Sequence, residues 1–422
     1  MPAATNCAPL LQKKVQFVTV TGIMPLHRNF LLEKFMIPGL DGLRAVAFIL
    51  VFLCHTNYLS FGWVGVLLFF VLSGFLITGI LIDMKESLPT KAYFIKFYGR
   101  RLLRIFPLYY FYLFLALGVA LLLYWLDIKP LRMLEYFRQV PYALTYMYDF
   151  LAATTRYRES DFLTHFWSLS VEEQFYIFWP LLILLTPKKH YKKLFIAAII
   201  AGPIFRVILS YMFDNHVFYF LRDSAADGIY ALPFSHVDAF GLGAFISQYR
   251  LPKARQQFWV LLAAIPIIGF ATQYLATGDF GLMKGLGFSH PIGDGYKQIW
   301  GYSLLNYFFA VTIYAVAREG LFNRFLELGW MKYLGKISYG LYVYHYILIF
   351  VAGRNQDLVA LSFEQAQFVT AIVSFLATVL VAALSFKYIE RPILGLKDKY
   401  FPATEKQPEI PGIIPAEPVQ TN

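Results

Sequence analysis

The side chains of this sequence best suited to chemistry stand where burying them is expensive. Within the apolar run PGLDGLRAVAFILVFLCHTNY, residues 38–58, sit Arg44 and His55, eleven positions apart. At 3.6 residues per turn that spacing is close to three whole turns. Both therefore project from one helix face, about 16–17 Å apart along the axis, with Asp41 near the same face. Ionisable groups in an apolar segment of membrane length usually face a bundle interior. The plainer alternative is an Arg44 that snorkels to the interface and a His55 satisfied in the core. Further on, Arg101 and Arg104 share a face one turn apart, beside Arg100. Such a pair either anchors a helix in the cytoplasmic leaflet or clamps phosphate oxygens bidentately. Glu172 and Glu173 open one later apolar span, and His236 and Asp238 open another. A histidine beside a carboxylate is the arrangement of an oriented general base, although acidic residues also favour helix N-termini.

Composition indicates that transmembrane helices carry these groups. The chain has 422 residues, 58% hydrophobic and 15% charged, with mean hydropathy +0.55. A soluble domain carries nearer one quarter charged residues. The net charge of +11 lies in short clusters between apolar spans, which fits topology determination and not nucleic-acid binding. Cys7 and Cys54 are far apart, so neither a disulfide framework nor a metal site is expected. Cys54 reads as packing.

The fold class expected is an all-α polytopic bundle of about ten spans, each crossing about 30 Å of hydrocarbon. The spans fall near 38–58, 63–83, 105–126, 168–186, 194–213, 235–249, 257–276, 299–317, 337–353 and 367–389. Residues 1–36 read as a weakly ordered extension without a signal peptide, 37–395 as the membrane domain, and 396–422 as a Pro-rich disordered tail. The polar-aromatic connection at 127–166 is expected to hold an amphipathic helix near Leu134–Tyr148. Lys and Arg concentrate in alternate loops, which puts both termini in the cytoplasm. Arg44, Arg101 and Arg104 are then inside, and His55, Glu172, Glu173, His236 and Asp238 outside.

Several motifs in order, GLDGLRAVAFILVFLCH, WVGVLLFFVLSGFLI, FYGRRLLRIFPLYY, HFWSLSVEEQFYIFWP, FSHVDAFGLGAFIS, LGKISYGLYVYH and a closing ERP, resemble the acyltransferase-3 family of integral membrane O-acyltransferases. The likeness covers about residues 37–395, without the esterase-like C-terminal domain that some relatives carry. The resemblance implies transfer of an acyl group, usually acetyl from acetyl-CoA, to a hydroxyl of an envelope carbohydrate. It implies that His55 is catalytic and that Arg44, Arg101 and Arg104 serve the donor. No permanently bound cofactor is expected. The setting is the inner (cytoplasmic) membrane, with lipid, acyl-CoA and a glycan or lipid-linked sugar as partners. O-antigen, exopolysaccharide, peptidoglycan and small glycosides all remain open as acceptors.

On this reading coenzyme A phosphates lie against the arginines and the pantetheine arm runs along the first span to His55. Glu172 or Glu173 orients the imidazole, and Tyr339 or Ser338 steadies the oxyanion. His236 and Asp238 stand on the acceptor side. His345 is expected to hydrogen-bond within the bundle, Arg206 to pair with a carboxylate, and His27 and His190 to be solvated. His290, in a Gly-rich outer loop, is available to an acceptor. The alternative from another class is a secondary transporter or acyl carrier that uses an Arg44/His55/Glu172 path without group transfer, although the two related halves common in transporters are not visible.

Overall fold

Backbone in hydrocarbon must satisfy its own hydrogen bonds, and a helix does so within itself. The computed structural model describes residues 37–354 and 362–402. The expected extension at 1–36 and most of the expected tail, 403–422, lie outside the described residues. Among these residues sixteen α-helices follow in order: α1 Leu40–His55, α2 Gly65–Ser87, α3 Thr90–Trp125, α4 Pro130–Leu144, α5 Tyr148–Ala152, α6 Phe166–Leu185, α7 Tyr191–Asp214, α8 Ala225–Ala231, α9 Val237–Gln248, α10 Ala254–Thr277, α11 Lys297–Glu319, α12 Asn323–Leu326, α13 Gly329–Lys336, α14 Ser338–Arg354, α15 Phe363–Ser385 and α16 Arg391–Tyr400. The β pairing among the described residues is an isolated bridge between Thr154 and Leu221.

The molecule is an all-α, largely membrane-embedded bundle. Among the described residues seven helices are long and apolar enough to cross a bilayer, and two bent pairs, α8 with α9 and α13 with α14, raise that to nine. The helix that carries Arg44 and His55, α1, has 16 residues, or about 24 Å of rise, and falls short on length alone. It begins at Gly39, whose φ of 83° is the left-handed conformation that glycine adopts without strain. Its buried face is Leu40, Gly42, Leu43, Ala45, Ala47, Phe48, Val51 and Phe52. That face is small near the start, where α13 crosses it closely: a Cβ on Gly335 would stand 1.8 Å from the Asp41 carbonyl oxygen.

The helices α2 and α9 cross at close range. A Cβ on Gly243 would stand 2.1 Å from the Val71 carbonyl oxygen, and one on Gly74 2.3 Å from that of Phe240. Small residues let the two backbones touch, as in membrane helix pairs generally. An amphipathic helix does occupy the connection after α3, at Pro130–Leu144. At the other end α16 runs to Tyr400, so helix continues past the boundary expected at 395, and Arg100 donates to the Phe401 carbonyl at 2.7 Å.

The connection docks on α6 through Asp149, which is wholly buried and accepts two hydrogen bonds from Gln174 at 3.0 and 3.1 Å. Burial pushes the Asp149 carboxyl up to about 7, against the hydrogen bonds that favour its charge. The unfolded chain releases this proton near pH 4. Between about pH 4 and 7 the folded protein therefore binds more protons, and stability falls as pH rises through that window. Asp149→Asn keeps an acceptor for Gln174 without the charge. It is expected to melt higher than the unsubstituted protein above pH 7 and at the same temperature near pH 4, measured by thermal unfolding in detergent.

Candidate active site

Five helices, α1, α2, α3, α6 and α14, meet around a cavity of about 910 Å³, counting the open space at its mouth. Arg44 reaches it from α1, Arg101 and Arg104 from α3, Glu172 and Glu173 from α6, and Ser338 and Tyr339 from the start of α14. Helix period explains the grouping: residues three or seven apart return to one face. The guanidiniums are steadied separately. Arg44 pairs with Asp41 one turn back, and Arg101 lies 4.5 Å over the Tyr176 ring. The Tyr176 and Ser73 hydroxyls both donate to Glu172. Glu390 ends a single π turn, Phe386–Glu390, within electrostatic reach of Arg104, and its Oε1 makes no hydrogen bond among the described residues. Such π turns recur at functional sites. Three half-buried cations in one cavity favour an anionic occupant.

Beyond one wall of this cavity lie three imidazoles. His55 Nδ1 is 2.8 Å from His345 Nε2, with the rings edge to edge, nearly parallel at 14° and their centres 5.0 Å apart. His345 Nδ1 lies 2.6 Å from the Tyr342 carbonyl, and His165 Nε2 lies 3.1 Å from that of Val343. A carbonyl only accepts, so both of those nitrogens donate. The His165 and His345 rings are 5.0 Å apart. The wall itself is Tyr342, whose hydroxyl shares a 2.5 Å hydrogen bond with Ser168, and both residues line the arginine cavity. His165 and His345 are buried, whereas His55 is half-buried.

The helices are staggered so that the polar groups sort into two levels, and this corrects several expectations. Glu172 and Glu173 join the arginines and do not orient His55. Glu172 lies seven residues along α6 from His165, about 10 Å deeper, and it is His165 that stands level with the other imidazoles. Ser338 and Tyr339 are likewise seven and six residues from His345, and the Tyr339 hydroxyl donates to the Ile105 carbonyl at 3.3 Å, so neither is poised to hold an oxyanion at His55. His236 and Asp238 do not line the cavity. His236 is wholly buried, donating from Nε2 to the Tyr230 carbonyl at 2.8 Å. Asp238 is the carboxylate partner of Arg206, as expected of that arginine, in a fully buried fork at 2.8 and 3.0 Å, and it also accepts from Ser303 and Asn306. His290 packs 4.4 Å from the Tyr230 ring with Nδ1 3.9 Å from Asp227, and burial pushes its pKa down to about 4. No group of His, Cys, Asp and Glu among the described residues is shaped for a metal ion.

His165, Tyr342 and Glu390 were not singled out from the sequence. A signal for the first existed, because His165 precedes Glu172 by the same seven residues that separate Ser338 from His345. That spacing marks two ends of one helix face.

The Arg206–Asp238 pair lies outside both levels and should govern stability, not turnover. Removing one partner of a buried pair costs about 3–5 kcal/mol, because the other charge stays uncompensated. Asp238→Asn is expected to lower the unfolding temperature in detergent sharply, and Arg206→Met with Asp238→Leu to recover much of that loss.

Comparison with known proteins bears on what these two levels do. A family model described as an acyltransferase domain matches residues 37–387. The chain is 31% identical over 375 residues to the O-acetyltransferase OatA of Staphylococcus aureus strains NCTC 8325 / PS 47, COL and MRSA252, over 85% of this chain and 57% of each relative. It thus spans a little over half the length of the curated relatives it matches. No solved structure matches it.

Proposed function

Because the chain belongs to the acyltransferase-3 family, we propose that it is a membrane O-acyltransferase that moves an acetyl group from acetyl-CoA to a hydroxyl of an envelope carbohydrate. The observation that carries this reading is the continuity of the site: three guanidiniums at one level, three imidazoles at the next, and Tyr342 with Ser168 between them. Phosphate oxygens suit Arg44, Arg101 and Arg104, and guanidinium forks bind them bidentately. The pantetheine arm is extended, and the rise of about 16–17 Å from Arg44 to His55 along α1 suits its reach.

At the far level the chemistry is acyl transfer. The acceptor hydroxyl gives its proton to His55 and its oxygen attacks the thioester carbonyl. The tetrahedral adduct then collapses with cleavage of the C–S bond, and the departing thiolate takes the proton back from His55. The ester and the free thiol are the products, and the base is regenerated. Glu172 and Glu173 line the same cavity as the arginines, and Glu390 lies within electrostatic reach of Arg104. About ten spans with both termini in the cytoplasm put the arginines on the donor's side and His55 on the acceptor's. A bundle of apolar helices, unlike the β-barrels of outer membranes, suits the inner (cytoplasmic) membrane as the setting.

Three measurements test this. Reporters fused after Lys193 and within residues 276–298 should report cytoplasm and outside, and the reverse pattern would exchange the two sides of the reaction. Arg101→Gln or Arg104→Gln should insert normally yet bind acetyl-CoA about tenfold to hundredfold more weakly, at roughly 1.5–3 kcal/mol per charge-assisted contact, in calorimetry on purified protein. His55→Ala should lose about 10²–10⁴-fold in turnover while still binding acetyl-CoA, and Cys54→Ser should keep most of its activity. Purified protein that binds acetyl-CoA without consuming it, in the presence of acceptor glycan, would favour a carrier instead.

A further inference from the structure

We propose that His345 is a positioning residue that fixes the tautomer of His55, so that Nε2 of His55 is the nitrogen that works on the acceptor. The inference rests on the acyl-transfer reading above and follows from the chain of hydrogen bonds through the two rings. The Tyr342 carbonyl, 2.6 Å from His345 Nδ1, has no proton to give, so Nδ1 of His345 carries one. A wholly buried imidazole with no carboxylate bonded to it among the described residues is held neutral by the cost of burying charge. Neutral His345 therefore has a lone pair on Nε2, and the nitrogen 2.8 Å away, Nδ1 of His55, must donate to it. His55 is left with its lone pair on Nε2. No other protein group among the described residues hydrogen-bonds to that atom.

Two further observations make the arrangement directional. The rings of His55 and His345 are nearly parallel at 14°, and Tyr346 meets His55 edge-on at 5.1 Å, so the His55 ring is held against rotation. His165 faces His345 from α6 at 5.0 Å but directs its own Nε2 proton to the Val343 carbonyl, and so does not compete for His345 Nε2. In most sites that use a histidine as base, a carboxylate or carbonyl accepts the second ring proton. Here a neutral imidazole does, and its own tautomer is set by a backbone carbonyl three residues back in the same helix. During transfer Nδ1 of His55 keeps its proton. Nε2 takes the proton of the acceptor hydroxyl and returns it to the departing thiolate, while His345 Nε2 accepts from the cationic ring in between.

Amide isosteres separate this role from a packing role. In His345→Gln the side-chain oxygen falls near the position of Nε2 and can accept from His55. In His345→Asn the amide falls near Nδ1, which keeps the bond to the Tyr342 carbonyl and abandons His55. The expected order of kcat is His345→Gln within about fivefold of the unsubstituted protein and His345→Asn about 10–100-fold below it, with KM for acetyl-CoA changed less than twofold in both. Equal activity of the two variants, or Asn the better one, would overturn the proposal. A readout independent of folding in the variants is the ¹⁵N spectrum of histidine-labelled protein at pH 8, with His55 assigned by its loss in His55→Ala. A His55 signal of the Nδ1–H tautomer is expected, and the Nε2–H tautomer would overturn the proposal. His55→Ala measured alongside keeps the two claims apart. If it is inactive and the isosteres do not differ, only the positioning role falls. If it retains turnover, the acyl-transfer reading falls first.

Discussion

Taking a guanidinium or an imidazole out of water costs several kcal/mol unless a partner waits for it, and this bundle is arranged around that cost. Arg206 meets it with the Asp238 carboxylate, the Ile299 and Ser235 carbonyls and the Ser303 hydroxyl, all inside the bundle. His236 meets it with one backbone carbonyl. Arg44, Arg101 and Arg104 meet it only in part, with carboxylates and an aromatic face around a cavity that stays open. The fully compensated charges hold helices together. The partly compensated ones are left with capacity for an anion, and that difference separates scaffold from site.

The same logic gives the histidines their character. A carboxylate beside His55 would hold it charged and demand compensation of its own in an apolar setting. Imidazole against imidazole, each proton passed to an acceptor and the last to a backbone carbonyl, supplies orientation with no net charge to bury. The carboxylates sit two turns away, where the arginines need them. Site electrostatics are thus divided by depth: charge with charge at one level, neutral hydrogen-bonding rings at the other, and the Tyr342–Ser168 pair as the partition.

Helix period and apolar length are legible in the chain before it folds. The composition established an all-α membrane bundle, and the Arg44-to-His55 spacing placed those two side chains on one face of α1. Arg101 and Arg104 were legible as a pair on one face, and Arg206 as the partner of a carboxylate. Each of these depends on contacts or costs within one helix, or on burial in lipid, and both are local. How far each helix slides against its neighbours is fixed by contacts between helices, which no single segment carries. A slide of two turns, about 10 Å, leaves every sequence pattern intact and yet moves Glu172 from His55 to the arginines and brings His165 and His345 up in its place. Helix period says which face a residue occupies. The register between helices is set by packing, by the backbone contact of Gly335 with Asp41 and of Gly243 with Val71, and no spacing within a single helix contains it.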